Sequence, residues 1–140
     1  MTPEVFADIH ASAFRESRPW SASEFKALLA SRFSFWVGDS QGFALGRVIA
    51  GESELLTIAV SPISQRKGKG RALLQQYHLA ARNLGAQVLF LEVAKDNIGA
   101  IALYESEGYS LTSVRKGYYK RDDSSHVDAL NFRRSINLQD

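Results

Sequence analysis

The sequence has no cysteine, and only three prolines and one methionine among its 140 residues. Without thiols there is no disulfide framework, no cysteine nucleophile and no cysteine-held zinc, and no metal site is expected. Neither sign of charge dominates: 17 Lys and Arg stand against 15 Asp and Glu, a formal net charge of +2. That balance excludes a chain held to nucleic acid by bulk charge. Long apolar runs are missing as well. The longest uncharged stretch, Leu55 to Gln65, is partly polar and falls short of the ~20 residues a membrane helix needs. Glu4 and Asp8 lie near the start with no basic-then-apolar sequence, so no secretory signal is read and the cytoplasm is the expected compartment. What remains is ordinary globular material, 45% hydrophobic and 23% charged, without repeats or a Pro/Gly/Ser-rich linker. It is enough for one core and short for two, so residues 1–140 are read as a single domain.

Hydrophobic spacing divides the chain into elements. Val5, Phe6, Ile9 and Ala13 recur at helical intervals behind Pro3, predicting a helix over roughly 3–14. Ser21 and Glu24 have the spacing of a capping box, and Trp20 before them can staple onto Phe25, so a second helix starts there. Phe33–Val37 and Gly42–Ile49 are β-rich and flank Gly38-Asp39-Ser40-Gln41, which predicts a hairpin. Leu55–Val60 reads as the next strand, stopped by Ser61-Pro62. Leu73, Tyr77, Ala80, Ala81 and Leu84 mark one side of a helix that ends at Gly85. Val88–Val93 is apolar on both faces except for Glu92, the pattern of a strand buried in a sheet. Asn97–Glu107 is a helix closed by Gly108. Tyr109–Arg115, Tyr118–Lys120 and Val127–Phe132 read as closing strands, with Arg121–Ser125 as the last turn. This order gives a mixed α/β (α+β) layer rather than a bundle or sandwich.

Gln65-Arg66-Lys67-Gly68-Lys69-Gly70-Arg71 lies between a strand and a helix. Glycine at alternate positions lets backbone approach a ligand closely. The N–H groups that open the next helix have no intrahelical partner, and the helix dipole favours an anion there. With Arg66, Lys67, Lys69 and Arg71 around it, the loop suits a pyrophosphate. It is not a Walker loop, because Arg71-Ala72 follows Gly70, nor a dinucleotide fingerprint, because Leu73 stands where a third glycine belongs. A solvated basic loop capping a helix reads the same residues equally well, and contact with nucleic acid is a third option.

Glu92 is costly to bury in a central strand unless it is paired or protonated. A desolvated carboxyl titrates above its ordinary value of about 4.3, which suits proton abstraction near neutral pH. A strand end reaching solvent, or a pair with Lys95, accounts for it too. Tyr104 follows Ala100 and Ile101 on one helix face, as a core residue or as a proton donor to a thiolate. Asn97 is a good N-cap.

Taken together, Leu55–Val60, the Q-x-x-G-x-G loop, Leu91-Glu92-Val93, Asn97, Ala102-Leu103-Tyr104-Glu105 and Glu107-Gly108-Tyr109 form a known pattern. The chain resembles the GNAT superfamily of acetyl-CoA-dependent N-acetyltransferases over nearly its whole length. Pro19-Trp20-Ser21, Gly117-Tyr118-Tyr119 and Asp128-Ala129-Leu130 make it similar to the ribosomal-protein alanine N-acetyltransferase (RimI) type. The resemblance implies a mixed sheet of six or seven strands with about four helices. That sheet splays between the family's fourth and fifth strands, here Leu55–Val60 and Val88–Val93. It implies acetyl-CoA as co-substrate, with Ile58, Ala59 and Val60 bonding the pantetheine and thioester through their backbones. Arg66, Lys67, Gly68, Lys69, Gly70 and Arg71 would wrap the pyrophosphate, and Asn97 would touch the cofactor. Glu92 matches the general base, Tyr104 the general acid, and Tyr118 and Tyr119 border the peptide entrance. The implied partner is a protein N-terminus, a ribosomal protein's alanine above all, with neither membrane nor direct nucleic-acid binding. An acceptor that is a small amine or a lysine, or a non-catalytic module for acetyl-CoA or RNA, are the alternatives. Two departures from the family stand out. Ala94-Lys95 replaces the arginine that many relatives carry after L-E-V, and Lys69 replaces an apolar residue.

Overall fold

The computed structural model describes residues 1–14 and 18–136. Helix α1 (Pro3–Ala13) begins at Thr2, whose side chain accepts the Val5 N–H. Helix α2 (Ala22–Ala30) begins at Ser21 with both bonds of the capping box formed, and Trp20 packs against Phe25 with ring centroids 5.6 Å apart. The hairpin follows as β1 (Ser34–Asp39) and β2 (Gly42–Ile49). Next come β3 (Glu52–Val60), α3 (Lys69–Asn83), β4 (Val88–Ala94), α4 (Ile98–Ser106), β5 (Ser110–Lys120) and β6 (His126–Ser135), with a 3₁₀ turn at Pro62–Ser64 after β3. The sheet has six strands in the order β1-β2-β3-β4-β6-β5. Only β3 and β4 are parallel among its neighbours.

Several elements depart from the sequence reading, among them β1, which runs on to Asp39, and β6, which runs three residues past Phe132 to Ser135. β3 starts three residues early, at Glu52, because Ala50 and Gly51 both take positive φ (52° and 82°) in a two-residue turn. Such turns normally advertise themselves with Asn-Gly or Asp-Gly, and Ala50 gives no such signal. The separate strands Tyr109–Arg115 and Tyr118–Lys120 are one strand, β5, interrupted by a register shift rather than a turn.

The sheet carries a core on each face. Leu55, Leu89, Leu91, Val93 and Phe132 bury against Leu74, Tyr77 and Ala81 of α3 and Tyr104 of α4. Phe43, Leu45 and Ala59 bury against Phe6, Ile9 and Phe25 of α1 and α2. β3 contributes to both clusters because Leu56 is an extra residue: Gly46 lies opposite Leu55, and Leu45 opposite Thr57. This bulge turns Leu55 toward α3 and Ala59 toward α1. Below the bulge, the buried Ser53 and Tyr77 hydroxyls meet at 2.6 Å. Gly46 makes room for them, since a Cβ there would sit 2.0 Å from the Tyr77 oxygen.

Candidate active site

The parallel ladder between β3 and β4 joins Glu52–Leu55 to Val88–Leu91 and stops there. Both strands continue, β3 to Val60 and β4 to Ala94, and a gap opens between them. Antiparallel alternation fixes what β3 shows to this gap. Ser61 N–H donates to the Gln41 carbonyl at 2.9 Å, continuing the ladder in which Ala59 lies opposite Phe43. Ala59 therefore spends its peptide groups on β2, whereas Ile58 and Val60 turn theirs toward the gap. Of the three residues expected to bond pantetheine and thioester through their backbones, Ile58 and Val60 turn peptide groups to the gap, whereas those of Ala59 face β2. The Val60 carbonyl already accepts from the Gln65 side-chain amide at 2.9 Å, which ties the following loop to the strand end.

The loop then bends through Arg66 (φ 61°) and Gly68 (φ 76°), and Gly68 is the N-cap of α3. No atom lies within 4 Å of the place a Gly68 Cβ would occupy, so the space above the helix terminus is open. Four cations were expected around a pyrophosphate, and two of them are committed elsewhere. Lys69 Nζ reaches Asp39 Oδ2 at 2.9 Å, and Arg71 Nη1 reaches Glu107 Oε1 at 2.6 Å. Arg66 and Lys67 remain exposed on the loop. Asn97 serves as the N-cap of α4, its side-chain oxygen accepting the Ala100 N–H at 3.2 Å.

Across the gap, Glu92 projects from β4 on the sheet face opposite α3. Its partners come from β5 rather than from Lys95. Arg115 Nη1 lies 3.3 Å from Oε2, and the Tyr119 hydroxyl donates to Oε1 at 3.4 Å. Glu92 forms one wall of a cleft of about 290 Å³ together with Glu54, Phe90, Arg115 and Asn131. The carboxylate side chain keeps 22% of its surface exposed, so it is paired but reachable. Tyr118 is exposed, its ring under the Arg115 guanidinium at 3.5 Å. Tyr119 is half-buried, and burial followed by the Glu92 charge raises its hydroxyl to about 12.

Tyr104 is buried against Tyr109, and burial raises its hydroxyl to about 12. Every fully buried side-chain polar atom among the described residues has a hydrogen-bond partner. None of those residues bonds the Tyr104 hydroxyl, so that oxygen keeps access to solvent. The structure thus provides a protonated donor on α4 and an accepting carboxylate on β4. Tyr119 feels the charge of Glu92 and in turn raises Tyr104. Sequence reasoning missed Arg115. It lies 23 positions from Glu92 and joins it only through strand pairing, so no local spacing announces it.

A sequence profile of the Acetyltransferase (GNAT) family matches residues 4–109. The ribosomal protein bS18-alanine N-acetyltransferase of Escherichia coli is 36% identical over 126 residues, covering 87% of this chain and 85% of that one. The N-alpha-acetyltransferase RimI of Mycobacterium tuberculosis is 36% identical over 137 residues, with 91% and 83% covered. The crystal structure of the ribosomal-protein-S18-alanine N-acetyltransferase from Escherichia coli aligns at TM-score 0.86 and 31% identity, covering 96% of this chain and 88% of that one.

Proposed function

The chain belongs to the acetyltransferase (GNAT) family, and from that premise we propose that it acetylates the N-terminal α-amine of a protein, using acetyl-CoA. The names of its relatives point to the N-terminal alanine of a small-subunit ribosomal protein as acceptor. The observation that carries this reading is the gap that opens beyond Leu55 and Leu91, with turned-out peptide groups on one side and Glu92 on the other.

Acetyl-CoA would supply an activated thioester carbonyl. The residues present fit such a ligand: Gly68 leaves open space over the first turn of α3, whose free N–H groups favour a diphosphate. Gly70 and the exposed Arg66 and Lys67 border the same place. Lys69 and Arg71 contribute their backbone there while their side chains brace the loop. Ile58 and Val60 direct N–H groups to where a carbonyl oxygen gains negative charge as the amine adds.

An N-terminal amine has a pKa of about 7.7–8.0, so a sizeable fraction is neutral at pH 7, whereas a lysine near 10.4 is almost wholly charged. Glu92 takes up the proton the nitrogen releases on forming the new C–N bond. The C–S bond breaks and its electron pair stays on sulfur, where Tyr104 directs its O–H. Burial holds that hydroxyl protonated at neutral pH, so Tyr104 acts as general acid and gives its proton to the departing thiolate. Tyr118 and Tyr119 border the acceptor side, with Tyr119 also orienting Glu92, and residues 1–140 act as a single domain. No helix among the described residues is long and apolar enough to cross a membrane. We place the reaction in the cytoplasm, where ribosomal proteins are made, with no membrane or nucleic acid taking part.

Incubation with acetyl-CoA and a peptide beginning with alanine should add one acetyl group to the α-amine, located by fragmentation mass spectrometry. Acetylation confined to lysine side chains or to polyamines, or none at all, would overturn the reading.

A further inference from the structure

The register of β5 against β6 breaks beside Glu92. Arg115 lies opposite Ala129 and Tyr119 opposite Val127, which leaves Lys116, Gly117 and Tyr118 facing Asp128 alone. The Asp128 carbonyl is turned away from this bulge. Lys95 N–H donates to it at 2.9 Å, on the β4 side. Side chains of β6 take over. Gly117 N–H donates to Asp128 Oδ1 at 2.8 Å, and His126 Nδ1–H donates to the Gly117 carbonyl at 3.2 Å. Gly117 sits at φ 59°, a conformation that glycine adopts freely.

This bulge decides where two side chains stand. On an unbroken strand Arg115 and Tyr119 would be four steps apart, about 13 Å at ~3.3 Å per residue. Set opposite partners only two positions apart, they stand about 7 Å from each other by the same rise. At that spacing one carboxylate spans them, with Arg115 on Oε2 at 3.3 Å and Tyr119 on Oε1 at 3.4 Å.

We propose that Asp128 is a positioning residue for the proton-accepting carboxylate: its side chain clamps the bulge at Gly117 that brings Arg115 and Tyr119 onto Glu92. The proposal rests on Glu92 being the base, and the experiment separates the two. Initial rates are measured on the alanine-starting peptide for the wild type, Glu92→Gln, Asp128→Ala and Asp128→Asn. Melting curves and calorimetric acetyl-CoA binding accompany each variant. Asp128→Ala should lower kcat about 10-fold, a partial loss of the ~10²–10⁴-fold that a general base contributes. Acetyl-CoA affinity should stay at the wild-type value. Asp128→Asn keeps an oxygen for the Gly117 N–H and should restore kcat to within about 2-fold, since the clamp needs one accepting oxygen rather than a charge. In an Arg115→Met/Tyr119→Phe background, adding Asp128→Ala should cost nothing further. Wild-type kcat in Asp128→Ala, no rescue by asparagine, or an undiminished loss in that background overturns the proposal while leaving Glu92 as base. Wild-type kcat in Glu92→Gln removes the base, and the proposal with it. If Asp128→Ala does not fold, Asp128→Glu shifts the carboxylate by one methylene, and full activity in that folded variant would overturn the clamp.

Discussion

On the β3 side of the gap, the groups turned to it belong to the main chain. The alternation of a ladder aims Ile58 and Val60, and the N-terminus of α3, which no side chain caps, presents its own N–H groups at Gly68. On the β4 side the polar groups belong to side chains. Glu92 is oriented by contacts of 3.3 and 3.4 Å from β5, a strand exposed along nearly all its length. Backbone recognition depends on fold and tolerates many sequences, whereas side-chain orientation depends on particular residues and changes when one does. The β3 side therefore suits a ligand common to a whole superfamily, and the β4 side suits one acceptor among many.

Substitutions on each side should separate these functions. Glu92→Gln has the largest expected effect, a fall in kcat of about 10²–10⁴-fold with acetyl-CoA binding unchanged by calorimetry. A parallel loss of binding would show that the two sides are not independent. Gly68→Glu should do the reverse. It places a carboxylate where diphosphate charge is expected, and a repulsion of roughly 1–3 kcal/mol weakens acetyl-CoA about 10- to 100-fold. At saturating acetyl-CoA its kcat should match the wild type.

A smaller effect concerns the α1–α2 cap, away from both sides. His10 lies stacked between Phe14 and Trp20 and accepts the Trp20 N–H at 3.0 Å. Burial lowers it to about 4, against the opposing pull of Glu24. Its folded value lies below the unfolded one near 6.5, so its contribution is complete above pH 6.5 and is lost as pH falls toward 4. His78, lowered to about 4 by burial and then by Arg134, adds a loss of the same sign. Melting temperatures measured from pH 7 to 4 should fall, and His10→Phe should flatten that slope. Least of all, Lys69→Gln should change the KM for acetyl-CoA by less than about 3-fold, because its ammonium is already engaged by Asp39 in a pair of modest worth. A larger change would mean that the pair opens to meet the ligand.

Features carried by neighbouring residues were legible in the sequence. Ser21 and Glu24 announced the second helix, Asn97 the cap of α4, and Gly68 the turn before α3. Features made by strand pairing were not. The polar run Glu52-Ser53-Glu54 does not read as strand, yet these residues join β3 to β4 and so define where the gap begins. Glycine at position 117 reads as a break between two strands, and pairing with β6 makes it a bulge within one. The basic loop reads as four free cations because Asp39 and Glu107, which neutralise two of them, lie 30 and 36 residues away.

The meeting of Tyr77 with Ser53 bears on how the gap takes up a ligand. The Tyr77 ring also stacks on Phe35, with centroids 4.8 Å apart, so α3 is bolted to three strands at the level where the sheet is still continuous. A helix fastened in this way resists swinging to narrow or widen the crevice above it. Acetyl-CoA should then meet a mouth of preset width, its association following a single exponential with no slower closing phase behind it.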